Sequence, residues 1–159
     1  MAIHNGCPIQ DADNDLVPDE KDKCPQTPGL AANGGCPQVT SAERDILDLA
    51  INDLYFDTNK SIIKPESYRS MDKLAKLLKQ RPSYRVKIEG HTDSRGDKNM
   101  NYELSKNRSL AVQEYLIQRG VSPSQLQVEY FGETKPAASN VTEKTRRFNR
   151  RVEMSFIWD

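Results

Sequence analysis

The chain has no run of about 18 apolar residues, the length a bilayer-spanning helix needs, and no apolar stretch behind a basic start that resembles a secretory signal. It has no excess of either charge: 23 lysines and arginines face 23 aspartates and glutamates in 159 residues. That balance argues against nucleic acid or an anionic membrane as a partner, because such affinity comes mainly from neutralised phosphates. Aromatic residues make up 7% of the chain, and the first 40 residues hold none of them. Cysteine is scarce, at positions 7, 24 and 36 alone. The length admits one domain and a small appendage.

The neutral sum is made of two opposed parts. Residues 1–40 carry six acids against Lys21 and Lys23, a net of −4, so residues 41–159 carry +4. The first part also holds four of the eight glycines and five of the nine prolines. Without aromatics, and with few large aliphatics, it cannot bury enough apolar area to offset its ordering entropy. It is either disordered or held by something other than a core.

Two such holds are visible. Asp11, Asp13, Asp15, Val17, Asp19 and Asp22 fall at positions 1, 3, 5, 7, 9 and 12 of a loop, the ligand schedule of an EF-hand-type calcium site, with position 7 supplying a backbone carbonyl. Leu16 stands where that schedule has glycine, Asp22 where it has the longer glutamate, and no flanking helices are expected. The alternative is a solvated acidic linker, against which stand the close repulsion of five aspartates and their regular spacing. The second hold is cysteine. Asn5-Gly6-Cys7-Pro8 and Gly34-Gly35-Cys36-Pro37 recur 29 residues apart, which marks a repeat whose upstream copies are absent. If Cys7 belongs to an upstream unit, parity pairs Cys24 with Cys36, and disulfides imply an oxidising compartment. Zinc is the rival, weakened by the lack of any C-x-x-C pair. The stretch DADNDLVPDEKDKCPQTPG followed by GGCP resembles the thrombospondin type 3 repeat, a rod-like calcium-binding spacer. The resemblance implicates the side chains of Asp11, Asp13, Asp15, Asp19 and Asp22, with Ca2+ as cofactor.

From residue 41 the text is that of a globular domain. A short helix capped by Ser41 runs through Ala50, and Asp53–Phe56 reads as a strand ending in the loop Asp57-Thr58-Asn59-Lys60. Pro65 suits a first helical turn, and Met71, Leu74, Ala75 and Leu78 form an apolar stripe that stops at Arg81-Pro82. Tyr84–Glu89 alternates as a strand; a second long helix spans about Met100 to Arg119, with Gly120 as its C-terminal cap. Leu126–Phe131 and Asn149–Trp158 close the domain as strands. The predicted fold class is an α/β layer sandwich, with the two long helices on one face of a mixed sheet.

The second long helix carries an anomaly. Leu104, Ala111, Val112 and Tyr115 define its core-facing stripe, and Arg108 falls in the middle of it. A buried guanidinium without an anion costs several kcal/mol, so Arg108 makes either a structural salt bridge or a ligand contact, and Asn101 points the same way. The preceding loop, Gly90-His91-Thr92-Asp93-Ser94-Arg95-Gly96, leaves a strand end, where α/β sheets tend to bind ligands. Asp93 and Arg108 are then a matched pair able to hold a zwitterion between them.

KIEGHTDSRGDKNMNYELSKNRSLAV, with LYFDTNKSIIKPES upstream and YFGETKPAASN and FNRRVEMSF downstream, is similar to the OmpA-like C-terminal domain over roughly residues 45–158. Relatives of that family include the peptidoglycan-associated lipoproteins and the periplasmic domains of flagellar stator B-type proteins. Ser109 departs from the alanine the family often has, a small change expected on the helix flank. The resemblance implies noncovalent binding of peptidoglycan through the meso-diaminopimelate of its stem peptide. Asp93 would receive the free ammonium and Arg108 the carboxylate on the same carbon, with Asn59, Thr92, Asn101 and Arg151 in support. Asn149 and Arg150 lie near the site in relatives, and strand alternation places Arg150 with Val152, Met154 and Phe156, so one of the two arginines is expected to serve packing or a salt bridge.

Three function classes follow. The first is a wall-anchoring module: the soluble, periplasmic part of an outer-membrane protein, with an upstream barrel or lipid anchor, no membrane contact of its own and homo-oligomerisation left open. The second is an enzyme on peptidoglycan, with His91, Asp93 and Glu89 as acid and base. No H-e-x-x-H zinc motif, Cys/His pair or matched second carboxylate supports it, and His91 is expected to shape its loop by hydrogen bonding. The third is a calcium-dependent adhesin or oligomerisation module carried by residues 1–40.

Overall fold

A computed structural model describes residues 3–4 and 7–158, with side chains from residue 8 onward. Asn5, Gly6 and the thiol of Cys7, on which the unpaired-cysteine expectation rests, lie outside the described residues. The chain divides into two compact units, one of residues 1–41 with 157–159 and one of residues 42–156.

In the first unit, β1 (Ile3–His4) pairs antiparallel with β2 (Cys7–Pro8). Beyond them this unit is irregular, as its composition demands, and is tied by a Cys24–Cys36 disulfide with the Cα atoms 5.1 Å apart. That bond removes both thiols from any zinc site. Around it the backbone is tight. Leu30 forms an isolated bridge with Cys36, and a Cβ on Gly29 would lie 2.2 Å from the Cys36 carbonyl carbon. Cys24 is 1% exposed and Val17 is buried beside the acidic run.

In the second unit every predicted element but one forms. Helix α1 spans Ser41–Asn52, and α2, Tyr68–Gln80, follows a 3-10 turn at Pro65–Ser67. Met71, Leu74, Ala75 and Leu78, the predicted stripe of α2, are all buried to within 1%. Strand β3 (Arg85–His91) lies at the centre of a mixed three-stranded sheet, between β4 (Leu126–Tyr130) and β5 (Arg151–Ile157). The β3–β4 pair is parallel, with Ile88 opposite Val128. Its crossover is α3 (Lys98–Gln118), which packs on both strands while α2 leans on α3. The exception is Asp53–Phe56. It forms no strand, because the Tyr55 amide donates to Ser67 Oγ at 2.8 Å and the segment folds back on Lys64; a single Phe56–Ile63 bridge remains.

The buried line of α3 also differs from the predicted one. Ser105, Arg108, Ser109, Val112 and Leu116 are buried, while Leu104, Ala111 and Tyr115 are half-buried. The cause is a close approach: a Cβ on Gly90 of β3 would stand 2.3 Å from the Ser105 carbonyl oxygen and from Ser109 Oγ. Small residues on both sides let the helix axis sit near the sheet. Ser109 is therefore fully buried, not on the flank, and its hydroxyl donates to the carbonyls of Ser105 and Glu129 at 2.9 and 3.2 Å.

Candidate functional site

Three pieces of the second unit converge at the C-terminal end of β3. One is the loop that follows β3, the second is the first half of α3, and the third is the 54–59 segment, with the start of β5 closing the wall. Between them is an open cavity of about 620 Å³ lined by, among others, Phe56, Asn59, Asp93, Asn101, Arg108 and Arg150.

Arg108 is 8% exposed. Its Nε donates to the Lys60 carbonyl at 2.9 Å and its Nη2 to the Asp57 carbonyl at 3.2 Å, and its guanidinium lies over the Phe56 ring, 5.0 Å from the centroid. Nη1 donates to no described residue, and among the described residues no carboxylate pairs with Arg108. Of the two alternatives for Arg108, the structural salt bridge is not found among the described residues; carbonyl dipoles and a ring face take its place. Burial, then the nearby Arg150, lowers the pKa of this guanidinium, and Asp93 acts in the opposite direction. An anion entering the cavity meets a cation whose solvation is incomplete.

Asp93 is 6% exposed. Oδ1 accepts from the Arg95 amide at 2.9 Å, which turns the loop, and Oδ2 accepts from Arg150 Nη1 at 2.6 Å. The loop itself is clamped. Thr92 donates its amide to the Gly132 carbonyl and its hydroxyl to the Asp93 carbonyl, while the Asn101 amide donates to the carbonyls of Asp93 and Arg95 and to Glu133 Oε2. Asn101 and Thr92 thereby hold Asp93 in place from two sides. Asp97 starts α3 by accepting from the Met100 amide at 2.9 Å, which fixes Asn101 in the first turn. Asn59 lines the far wall with a left-handed backbone, φ 58°.

The two neighbouring arginines divide their work differently from expectation. Arg151 lines the cavity but directs its guanidinium to Glu153 Oε1 at 2.6 Å and to the carbonyls of Asn149 and Lys135. Arg150 is exposed and precedes β5, so the alternation that would bury it with Val152 and Met154 does not reach it. It bridges Asp93 and Glu143, each at 2.6 Å. Arg150 first, then Arg146, holds the Glu143 carboxyl below its ordinary range. Glu143 opens a short helix, α4 (Glu143–Arg146), which sequence reasoning missed; its signal is Thr142, whose hydroxyl accepts from the Thr145 amide as an N-cap. Asn149 is fully buried, accepts from the amides of Ala137 and Ala138, and acts as a latch for that loop.

His91 does not shape its loop by hydrogen bonding. It is 2% exposed and stacks on Phe131 at 5.3 Å, and neither ring nitrogen has a hydrogen-bond partner among the described residues.

In the first unit the acidic run is wound into a loop by its own carboxylates. Asp11, Asp13, Asp15, Asp19 and Asp22 each accept a backbone amide: Leu16, Asp15, Val17, Ala12 and Cys24 respectively. Asn14 and Leu16 take left-handed backbones, with φ 63° and 75°, so the position that EF-hand loops fill with glycine has the glycine-type conformation here. Ligand oxygens of Asp11, Asp13 and Asp15 lie within 4.8 Å of one another, and Asp11 Oδ1, Asp13 Oδ2 and Asp22 Oδ2 are buried with no partner among the described residues. Burial, then the carboxylates of Asp15, Asp22 and Asp11, raises the pKa of Asp13, partly offset by its bond from the Asp15 amide. Of the three converging carboxylates, Asp11 and Asp13 each keep an oxygen without a donor among the described residues, while both Asp15 oxygens accept amides, from Val17 and Gly29; hard oxygens of this kind fit a calcium-sized cation.

Among the described residues no helix is long and apolar enough to cross a membrane. The chain is 42% identical to outer membrane porin F of Pseudomonas aeruginosa across 90% of its own length, which is 40% of the porin's. It is 38% identical to the peptidoglycan-associated lipoprotein of Pseudomonas putida, covering 97% of this chain and 90% of that protein. The crystal structure of the peptidoglycan-associated lipoprotein from Burkholderia pseudomallei superposes with a TM-score of 0.62 at 29% identity, over 65% of this chain and 88% of that one. The pattern of the OmpA family matches residues 55–150, a span that contains the Asp93 loop, α3 and Arg150, and on these grounds the chain belongs to the OmpA family.

Proposed function

We propose that this chain binds peptidoglycan noncovalently in the periplasm through the meso-diaminopimelate of a stem peptide and so ties an outer-membrane protein to the cell wall. The observation that carries the reading is Arg108, a buried guanidinium with Nη1 unspent and no carboxylate of its own, facing the same cavity as Asp93. A carboxylate arriving there gains charge-assisted bonds worth about 1.5–3 kcal/mol each. The ammonium on the same carbon takes Asp93 Oδ2 in competition with Arg150, which keeps Glu143 as its second partner. Asn101 and Thr92 hold the loop, Asn59 closes the opposite wall, and Arg151 braces the start of β5. The names of the relatives support the ligand class: two are peptidoglycan-associated lipoproteins.

Binding, not catalysis, fits this arrangement. Both charged groups face a ligand; the second carboxylate in the wall, Glu143, is tied with Asp93 to the one guanidinium of Arg150, and among the described lining residues there is no cysteine, serine or histidine to serve as a nucleophile and its base. Modest affinity at one site suffices, because a polymeric wall presents many stems at high effective concentration.

Residues 1–40 serve in this reading as a calcium-binding spacer of the thrombospondin type 3 kind, with Asp11, Asp13, Asp15, Asp19 and Asp22 and the Val17 carbonyl as ligands. The three buried carboxylate oxygens without donors support it.

Co-sedimentation with sacculi, followed by calorimetry against diaminopimelate-type and lysine-type muropeptides, tests the binding reading. Lysine-type stems lack the carboxylate and leave Arg108 unmet, so they bind at least about tenfold more weakly. Equal affinity for the two stems would remove Arg108 from the ligand.

A further inference from the structure

The face of the sheet turned away from α3 carries a cluster that the cavity does not use. Gly90 meets Ser105 and Ser109 of α3, so its neighbours Glu89 and His91 project to the opposite face, where Glu153 of β5 joins them. One ligand-type atom from each of the three lies within 4.8 Å of the others.

Three features distinguish this cluster from a set of surface acids. First, His91 is 2% exposed and both Nδ1 and Nε2 lack a hydrogen-bond partner among the described residues; a buried polar ring with neither nitrogen satisfied is rare, since such groups nearly always find a partner. Second, Nε2 is aimed at Glu153 Oε2, 3.9 Å away, too far for a hydrogen bond and wide enough for both atoms to bind one ion. Third, Glu153 is anchored through one oxygen, Oε1 to Arg151 Nε at 2.6 Å, which leaves Oε2 toward the ring, while Glu89 is held through Oε1 by Lys87 Nζ at 2.7 Å and lies opposite Glu129 of β4. Stacking on Phe131 fixes the imidazole plane.

We propose that Glu89, His91 and Glu153 form a binding site for a divalent transition-metal ion of the zinc class, separate from both the cavity and the aspartate loop. One imidazole with two carboxylates suits zinc or cobalt better than calcium, which prefers six to eight oxygens. Lys87 and Arg151 balance the carboxylate charge and hold the ligands in position, as outer-shell partners do in metal sites.

The test is zinc calorimetry on the full chain with its disulfide intact and with millimolar calcium present to occupy the aspartate loop, repeated with cobalt to read visible absorption. The expected result is one ion per chain, weakened at least about tenfold in His91→Asn and in Glu153→Gln and unchanged in Asp13→Asn. Glu153 is half-exposed, so its variant keeps the fold, which a thermal melt checks. Absence of zinc binding by the native chain overturns the proposal. So does binding that survives both His91→Asn and Glu153→Gln.

Discussion

Arg150 Nη1 lies 2.6 Å from Asp93 Oδ2, and the other arm of the same guanidinium lies 2.6 Å from Glu143. The buried carboxylate assigned to a ligand's ammonium is thus already satisfied by a cation that has a second partner to fall back on. Such an arrangement avoids leaving Asp93 buried and unpaired when the cavity is empty of ligand. Arg150→Ala should lower stability by about 1 kcal/mol, a figure kept small because the guanidinium is one-third exposed and solvent screens it. A double-mutant cycle of Arg150→Ala with Asp93→Asn, read by denaturant unfolding, measures the coupling. Additive effects would show that the pair stabilises nothing.

Arg108→Lys tests geometry apart from charge. The ammonium keeps the positive sign but loses the planar fork that meets a carboxylate through two bonds. It also loses the paired contacts to the Lys60 and Asp57 carbonyls. Retention on sacculi should fall at least about tenfold, with a melting temperature within a few degrees of native. Undiminished retention would mean that point charge alone is sufficient.

The close contact at Gly90 predicts a large, local effect. Gly90→Ala puts a Cβ within 2.3 Å of the Ser105 backbone, which cannot move without carrying Asn101 and Arg108 along. Destabilisation of about 3 kcal/mol or more is expected. Gly96→Ala, in open space with φ 84°, should cost only about 1 kcal/mol of backbone strain. Comparable melting temperatures for the two variants would contradict the packing described for α3.

Tyr84 sets an alkaline limit. Its hydroxyl donates to buried Glu43 Oε2 at 2.6 Å, and burial, then Glu43, pushes its pKa up from 10.0 to about 12. In the unfolded chain the phenol ionises near its ordinary value. Between the two values the unfolded state binds fewer protons, so the stability contributed is complete below pH 10.0 and is lost as pH rises toward about 12. Phenolate absorbance should show a late phase to which Tyr84 contributes, beside Tyr115, whose phenol is also raised by burial and then by Asp72, and Tyr84→Phe should remove one tyrosine from that phase. An unchanged late phase in Tyr84→Phe would count against the buried bond.

Calcium and the disulfide should support the first unit independently. A ligand at one hundred times its dissociation constant adds about 2.7 kcal/mol, and a loop closed by cysteines 12 residues apart adds about 3 kcal/mol. Protease cleavage within residues 8–40 should therefore accelerate on chelation, on reduction, and most with both, while the second unit stays protected. Asp13→Asn should mimic chelation. Calcium-independent cleavage rates would reduce the acidic run to a solvated linker.

Local pattern carried much of this protein. The stripe Met71, Leu74, Ala75, Leu78 announced α2, alternation announced β3 and β5, and Arg108 on an apolar helix face announced a charge that needed explaining. These readings succeed because periodicity and burial cost act within a few residues of each other in the chain. The aspartate schedule from Asp11 to Asp22 is local in the same way, and the chelation experiment tests what it binds.

Tertiary structure alone decided the rest. Asp93 and Arg150 are 57 residues apart in sequence, and nothing local distinguishes Arg150 from Arg151; only the bend before β5 and the short helix bearing Glu143 choose between them. The shifted face of α3 depended on Gly90 meeting Ser105 and Ser109, a fit between two surfaces. His91 between Glu89 and Glu153 depended on which strand became the neighbour of β3. Sequence by itself determined which residues carry charge and which elements carry them, because those follow from chemistry and period. Which charges meet was settled by packing, since only a folded sheet and its crossover helix bring distant side chains within the few ångströms over which they act.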